Sequence, residues 1–299
     1  MAAPNVFDAA LELLNMDLQL DQLRTLTAVI DGGSFDAAAI ALSVTPSAVS
    51  QRIKALEQQV GRVLVQRSKP VRLTESGAVV LRLARQLELL EADASAALDN
   101  DGITILAIVA NADSLDTWLL PALAGLEGIT FDLRREDQGH STGLLREGAV
   151  MAAITSEPEP VQGCTVTYLG AMTYRPLATP AFLERWPSLA SAPVVIFDRK
   201  DELQDAHLLS RGIDPLAPPR HYVPGSSAFL DAVVLGFGWG MLPDLQSREL
   251  RASGALVELE AGAAIEVPLY WQQWALDSRA LSAVAEALKR GIVESPDIL

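Results

Sequence analysis

The sequence predicts an α/β chain in three parts, and three observations carry that reading. Residues 20–75 contain short amphipathic helical stretches ended by turn residues, followed by two β-prone runs around Ser68-Lys69-Pro70. Residues 75–98 form a stretch without proline whose apolar residues recur at alternating spacings of three and four. Beyond Gly102, apolar strand runs alternate with helical patterns, as a parallel sheet covered by helices requires. A chain of 299 residues with 49% hydrophobic and 20% charged residues is long enough for two or three folded units and is not a disordered polymer.

The first part begins with a helix marked by Leu23, Leu26 and Ile30. Ser34 caps a second short helix, SFDAAAIAL, whose alanines permit close helix packing. Ser43-Val44 leaves a tight turn. Thr45 followed by Pro46 then starts a third helix with an N-cap and a proline in the first helical position, and Gly61 stops it. Within that helix Val49, Ile53, Leu56 and Val60 make one buried face. Three short helices with a tight turn between the second and third match a helix-turn-helix. The face opposite the core carries Ser47, Ser50, Gln51, Lys54 and Gln58, with Arg52 beside it. Ser and Gln can bond base edges or phosphates, and Arg and Lys can neutralise backbone charge. A solvated structural helix would show the same periodicity, so context decides. The following hairpin wing bears Arg67, Lys69 and Arg72. Between Leu42 and Arg72 there are six basic residues and one acid, Glu57, a local +5 on a chain of net charge −15. The remaining 268 residues therefore total −20. Positive charge gathered on one small module is the footprint of nucleic-acid binding.

These residues resemble a known family. SFDAAAIALSVTPSAVSQRIKALEQQVGRVLVQR, followed by LTESG, is similar to the winged helix-turn-helix of LysR-type transcriptional regulators. Val65 stands where that family usually has Phe, a change of packing only. The resemblance and the residue pattern together place promoter DNA contacts at Ser34, Thr45, Pro46, Ser47, Ser50, Gln51, Arg52, Lys54, Arg67, Lys69 and Arg72.

In the second part, Val80, Leu83, Leu87, Leu90, Ala94 and Ala97 form a seam over nearly three heptads. So narrow a stripe buries little alone and needs a partner, either its own domain or a second chain. A dimer would set two recognition helices on the half-sites of a palindromic operator. The family resemblance implies dimers or tetramers.

The third part reads ITILAIVA, LDTWLLPALAGL, ITFDLRRE, STGLLREG and VMAAIT, then crosses near Ala171–Pro176 to PVVIF, a helical region from Asp201, SSAFLDAVVLG and GWGMLP. It returns through VPLYWQQWAL to a final helix, SRALSAVAEALKR. Two α/β halves joined by crossing strands predict a cleft between lobes. Ligands of such sheets bind beyond the carboxyl ends of strands. Three loops qualify: Asn111–Trp118, Arg135–Thr142 and Val223–Phe229. Helix starts and the hydroxyls of Ser114, Ser141, Ser226 and Ser227 suit a carboxylate, while Asp113, Glu136 and Asp137 suit an ammonium or guanidinium group. Asp113, Ser114 and Ser226 could equally be helix caps. Trp118, Trp271 and Trp274 are candidates for the lining, although aromatic residues at such spacing more often belong to a core.

This part resembles the LysR-type effector domain, a relative of periplasmic solute-binding proteins, and GFGWGMLP matches its glycine-rich G-x-G-x-x-x-L-P. NADSL-x-TWLLPAL, the ED of RRED-x-x-H, the SSAF loop and LYW-x-x-W-x-x-xSR resemble the subgroup that senses lysine and arginine and controls basic amino acid export. That resemblance implies effector contacts at Asn111, Asp113, Ser114, Trp118, Glu136, Asp137, His140, Ser141, Ser226, Ser227 and Phe229, an L-lysine or L-arginine effector, and RNA polymerase as a partner.

The expected organisation is an extension at 1–16, a winged helix-turn-helix over 17–74, a linker helix over 75–99 and an effector domain over 100–299, with lobe 1 at about 100–172 and 268–299 and lobe 2 at about 173–267. MDLQLDQLRTL from Met16 reads as a natural beginning, and residues 1–15 lack the Lys or Arg that opens a secretory signal, so a cytoplasmic protein is expected. No stretch approaches the roughly 18 apolar residues of a membrane span. The lone Cys164 and three scattered histidines argue against a disulfide or a metal cluster, and no cofactor is expected. G-x-S-x-G is absent and His140-Ser141 are merely sequence neighbours, so the chain does not read as an enzyme. The alternatives are a regulator of the same fold sensing another small molecule, such as an aromatic acid, and a solute-binding protein built on the α/β region alone.

Overall fold

A computed structural model describes residues 18–98, 103–136 and 141–293. The extension expected at 1–16 and the junction at Asn100–Gly102 lie outside the described residues. The chain divides into two compact units, one of residues 1–105 with 143–151, the other of residues 106–142 with 152–299.

In the first unit, α1 (Leu20–Asp31), α2 (Phe35–Ala41) and α3 (Pro46–Val60) surround one apolar core. Helix α1 buries Leu23, Leu26 and Val29; Ile30, expected inside, is only half-buried. The Ser34 hydroxyl caps α2 by accepting from the Ala37 amide at 3.1 Å, and Thr45 caps α3 by accepting from the Ala48 amide at 3.2 Å. Val49, Ile53 and Leu56 of α3 are fully buried, and Gly61 closes the helix at φ 69°. The wing is an antiparallel pair, β1 (Val65–Gln66) and β2 (Arg72–Leu73). Helix α4 (Glu75–Ala97) follows, capped by Thr74, which accepts from the Gly77 amide at 3.0 Å. Gly77 is obligatory here, because a Cβ would lie 2.0 Å from the Leu64 carbonyl oxygen.

The expected heptad seam on α4 divides into two. Val80 is buried in the unit's core, and Leu83 and Leu87 are half-buried, whereas Leu90, Ala94 and Ala97 face solvent in the single chain. Arg85 of the same helix is buried; its guanidinium donates to the Gly148 carbonyl at 2.8 Å, to the Ala149 carbonyl and to the Asp31 carboxylate.

The rest of the chain forms β3 (Thr104–Ala110), a helix α5 in three pieces (Ala112–Ser114, a π-turn Leu115–Leu119, and Leu120–Leu123), β4 (Ile129–Arg135), α6 (Ser141–Arg146) and β5 (Ala152–Thr155). The long β6 (Cys164–Ala178) leads out to α7 (Pro180–Arg185), β7 (Val194–Ile196), α8 (Leu203–Leu209), β8 (Arg220–Tyr222), α9 (Ser226–Val234), β9 (Gly240–Pro243), α10 (Asp244–Ala252) and β10 (Val257–Glu258). The chain returns along β11 (Ile265–Trp274) to α11 (Arg279–Val293). Strands run β10-β6-β11-β5-β3-β4 across one sheet, with β9 also on β6.

The expected parallel sheet is in fact mixed. β3 and β5 are parallel, but β11 is antiparallel to both β5 and β6. The reason is the chain path: β6 carries the chain out of the first lobe and β11 brings it back, so the two run in opposite senses. In the second lobe β7 and β8 form a separate parallel pair, bridged to Trp239. The glycines of GFGWGMLP serve packing: a Cβ on Gly238 would meet the Pro193 carbonyl oxygen at 2.7 Å, and one on Gly240 the Phe229 ring at 2.7 Å.

Candidate nucleic-acid interface and ligand cavity

On the headpiece, Ser47, Gln51, Lys54 and Gln58 are exposed along α3, and Ser50 is half-buried beside them. Arg67, Lys69 and Arg72 are exposed on the wing. Arg67 is braced by the Phe35 ring, its guanidinium 5.1 Å from the ring centre. Arg52 differs from Lys54: it is half-buried, and its Nε lies 3.3 Å from the Asp21 carboxylate of α1. The hydroxyls of Ser34 and Thr45 are used as caps, and Pro46 is exposed at the start of α3. Glu57, the one acid of the basic module, turns inward and accepts from the Leu64 amide at 2.8 Å and the Val65 amide at 3.4 Å. It anchors the wing to the recognition helix.

The second unit holds a cavity of about 520 Å³ between its lobes. Asn111 and Asp113, following β3, line it from lobe 1. Ser226 and Phe229 of α9 line it from lobe 2, with Tyr174 of β6 between them. Asp113 is the centre of a bonded cluster. Its carboxylate accepts from the Tyr174 hydroxyl at 2.6 Å and from the Ser226 hydroxyl, and the Gln246 amide donates to Ser226 at 2.6 Å. Burial raises the Asp113 pKa above the ordinary carboxylate value, the two hydroxyls lower it in part, and the nearby Asp116 raises it further. One turn along, Asp116 accepts from the Ser227 amide at 3.2 Å and the Ser227 hydroxyl at 2.9 Å. Helix α9 has no side-chain cap from its own N-cap residue, Gly225, so the other lobe supplies one.

Of the eleven effector positions, the cavity thus gathers Asn111, Asp113, Ser226 and Phe229. Ser227 lies next to it, committed to Asp116. Trp118 is 3% exposed and lines a different hollow, between α5 and α11, with Pro121 and Arg290. The helical spacing that places Asp113 toward the cleft turns Trp118 away from it. Trp271 and Trp274 are core. Ser114 and Ser141 are buried outside the lining, and Glu136 sits at the end of β4 with its amide on the Ala110 carbonyl at 3.2 Å. Asp137 and His140 lie outside the described residues. The main omission is the segment after β7, from which Asp198, Lys200, Asp201 and Glu202 line the cavity. The rule applied to the other loops, the carboxyl end of a strand before a helix, points to this one as well.

Among the described residues no His, Cys, Asp and Glu cluster is arranged to hold a metal ion, and no helix is long and apolar enough to cross a membrane. Cys164 is half-buried at the start of β6.

A winged helix-turn-helix joined by a long helix to a two-lobed cavity domain defines a ligand-responsive transcriptional regulator. The family model for bacterial regulatory helix-turn-helix proteins of the lysR family matches residues 20–78, and that for the LysR substrate binding domain matches residues 105–292. The chain belongs to the LysR family, and is a transcriptional regulator and not an enzyme. It is 44% identical over 286 residues to the transcriptional regulator LysG of Mycobacterium bovis, covering 92% of this chain and 94% of the relative. It is 43% identical to the solved ArgP of Mycobacterium tuberculosis, with a TM-score of 0.82 over 92% of this chain and 98% of that one. Full-length LysG of Corynebacterium glutamicum with bound arginine matches at 40% identity and a TM-score of 0.75, covering 93% and 99% of the two chains.

Proposed function

We propose that the protein controls a promoter in response to a basic amino acid, L-lysine or L-arginine, bound in the cavity between its lobes. The observation that carries this reading is Asp113, an enclosed carboxylate on the cavity wall whose bonded partners, Tyr174 and Ser226, are both uncharged. A half-buried carboxylate without a counter-ion favours a ligand that brings a cation. The arginine bound by the Corynebacterium relative supports the same ligand class. Asn111, Asp113, Ser226 and Phe229 then contact the effector, while Ser47, Gln51, Lys54 and the wing residues Arg67, Lys69 and Arg72 contact promoter DNA.

The exposed distal seam of α4, at Leu90, Ala94 and Ala97, supports pairing of two chains on a palindromic operator, as a dimer or within a tetramer. Effector binding shifts the balance between two arrangements of the assembly and so alters its contact with RNA polymerase or DNA. The target is an amino acid exporter gene, and the protein works in the cytoplasm. A thermal-shift screen against the twenty amino acids tests the effector. Lysine or arginine raises the midpoint; a rise with only neutral, acidic or aromatic compounds transfers the protein to a regulator of another ligand.

A further inference from the structure

The two ends of the cavity differ in chemistry, and the difference orients a ligand. At the lobe 1 end, Asn111 is 6% exposed. Its Oδ1 accepts from the Ser114 amide at 2.9 Å, and its Nδ2 has no hydrogen-bond partner. A buried donor left unpaired on a cavity wall is costly unless a ligand acceptor meets it. Asp113, two residues on, lines the same cavity with a carboxylate. An unpaired amide NH2 and a carboxylate on the wall of one cavity complement the carboxylate and ammonium of an α-amino acid.

At the lobe 2 end the lining is acidic: Asp198, Asp201 and Glu202 against Lys200. Asp201 is the one locked in place. Its Oδ2 accepts from the Phe197 amide at 3.0 Å and its Oδ1 from the Leu203 amide at 3.1 Å. Asp198 instead is turned to the backbone of its own loop, accepting from the amides of Lys200 and Asp201 at 2.7 and 3.1 Å. The bonded partners of Asp201 are uncharged, burial raises its pKa, and the Asp113 carboxylate is near enough to raise it further. With the Gln204 side chain bonded to it as well, the carboxylate keeps one of its four acceptor sites open. Between the two ends, Phe197, Phe229, Met241 and Val267 give apolar walls that fit a chain of methylenes.

We infer that Asp201 is the specificity-determining residue that reads the side-chain cation of the effector, while Asn111 and Asp113 hold its amino-acid head group in the opposite lobe. This rests on the basic amino acid reading above. A ligand without a side-chain cation would leave the half-buried Asp201 carboxylate unmatched, which is what rejects it.

The test pairs protein variants with ligand variants, using calorimetric titration of the full chain. The ligands are L-arginine, L-citrulline, which has nearly the same shape without the side-chain charge, and 5-guanidinopentanoic acid, which lacks the α-amino group; L-lysine and L-norleucine form a second pair. The wild type binds arginine at least about tenfold tighter than either analogue, the scale of one lost charge-assisted hydrogen bond. Asp201→Asn brings the arginine-to-citrulline ratio close to one and leaves the arginine-to-guanidinopentanoate ratio within about twofold. Asp113→Asn does the reverse. Asp201→Ser, which keeps an acceptor for the Leu203 amide without a charge, separates loss of charge from loss of loop structure, and thermal midpoints identify any variant that has unfolded. The assignment is overturned if Asp201→Asn and Asp201→Ser both leave the citrulline ratio unchanged, or if they collapse the guanidinopentanoate ratio instead. If the wild type binds arginine and citrulline equally, Asp201 selectivity fails while the effector site stands. If it binds neither lysine nor arginine, the effector reading itself fails, and a preference for glutamate would point to Lys200.

Discussion

The headpiece and the ligand cavity use charge in opposite ways. On the headpiece Lys54 of α3 and the wing cations Arg67, Lys69 and Arg72 stand in water over a largely apolar core, and their proposed partner is a polyanion. Each such contact is worth little, is screened by salt, and adds to its neighbours. In the cavity, Asp113 and Asp201 are half-buried and bonded to uncharged groups, burial raises the pKa of both, and the Asp113 charge raises that of Asp201 further. There a single charge decides the outcome. The headpiece can lose one cation and still hold DNA more weakly, whereas the cavity can lose one anion and change what it recognises.

That contrast can be broken most forcefully through the headpiece core. Ile53 is completely buried beneath the recognition face. Ile53→Ala is expected to destabilise the headpiece by about 3 kcal/mol, within the usual 2–5 for such deletions, and to abolish operator binding near its melting point. Urea unfolding followed with a headpiece fluorophore reads it. A loss below about 1 kcal/mol would mean that the helices do not share one rigid core.

The next effect belongs to the cavity side. His207 of α8 is 4% exposed and packs on Trp239 with ring centres 5.3 Å apart. Burial, then the Arg211 charge, lowers its pKa from 6.5 to about 4. Between those values the unfolded chain binds the proton and the folded one does not, so stability falls as pH drops from about 6.5 to about 4 and levels off below. The upper limit is about 3 kcal/mol at 1.36 kcal/mol per pH unit. Asp113 and Asp201 act in the opposite sense, since a raised carboxylate pKa adds stability as pH falls. His207→Gln should therefore flatten or reverse the slope of urea midpoints between pH 7 and pH 5; an unchanged slope would remove His207 as its source.

Salt dependence gives a smaller, sharper comparison within the headpiece. Lys54→Ala, Lys69→Ala and Arg72→Ala should each reduce the log–log salt slope of DNA binding by about 1. Arg52→Ala should reduce it by less, because Asp21 already sits 3.3 Å from its guanidinium. Equal slopes for Arg52 and Lys54 would show that DNA takes Arg52 away from Asp21. The smallest effect is expected for Asp116→Ala, which removes the cap on α9 from the other lobe. A loss of about 0.5–1 kcal/mol in thermal stability is expected, with DNA affinity unchanged.

The headpiece was almost wholly legible in the sequence because its determinants are local. A cap lies three residues from the amide it satisfies, and a buried face repeats within one helix. The half-burial of Ile30 and Val60, the place of Val29 in the core, and the pairing of Arg52 with Asp21 needed the packed structure. The cavity was half legible. Asn111, Asp113, Ser226 and Phe229 stand on loops that strand ends single out. The acids at 198–202 follow the same rule, but the short β7 hid the strand end that reveals them. Trp118 could not be placed without knowing which way α5 turns, and a π-turn runs through that very stretch. The mixed sheet was hidden for another reason: strand direction follows the path of the whole chain and not any segment of it.

Glu57 gives the headpiece a dial separate from its reading surface. Its carboxylate ties the start of the wing to α3 through the Leu64 and Val65 amides, yet it is also the one negative charge in the module that faces a polyanion. A glutamine there keeps an acceptor for the wing and moves the module from +5 to +6, so grip on DNA strengthens for every sequence alike while the base-reading side chains stay as they were. On the DNA contacts proposed above, how tightly the regulator holds DNA and which DNA it prefers are set by different residues, and the first can change without the second.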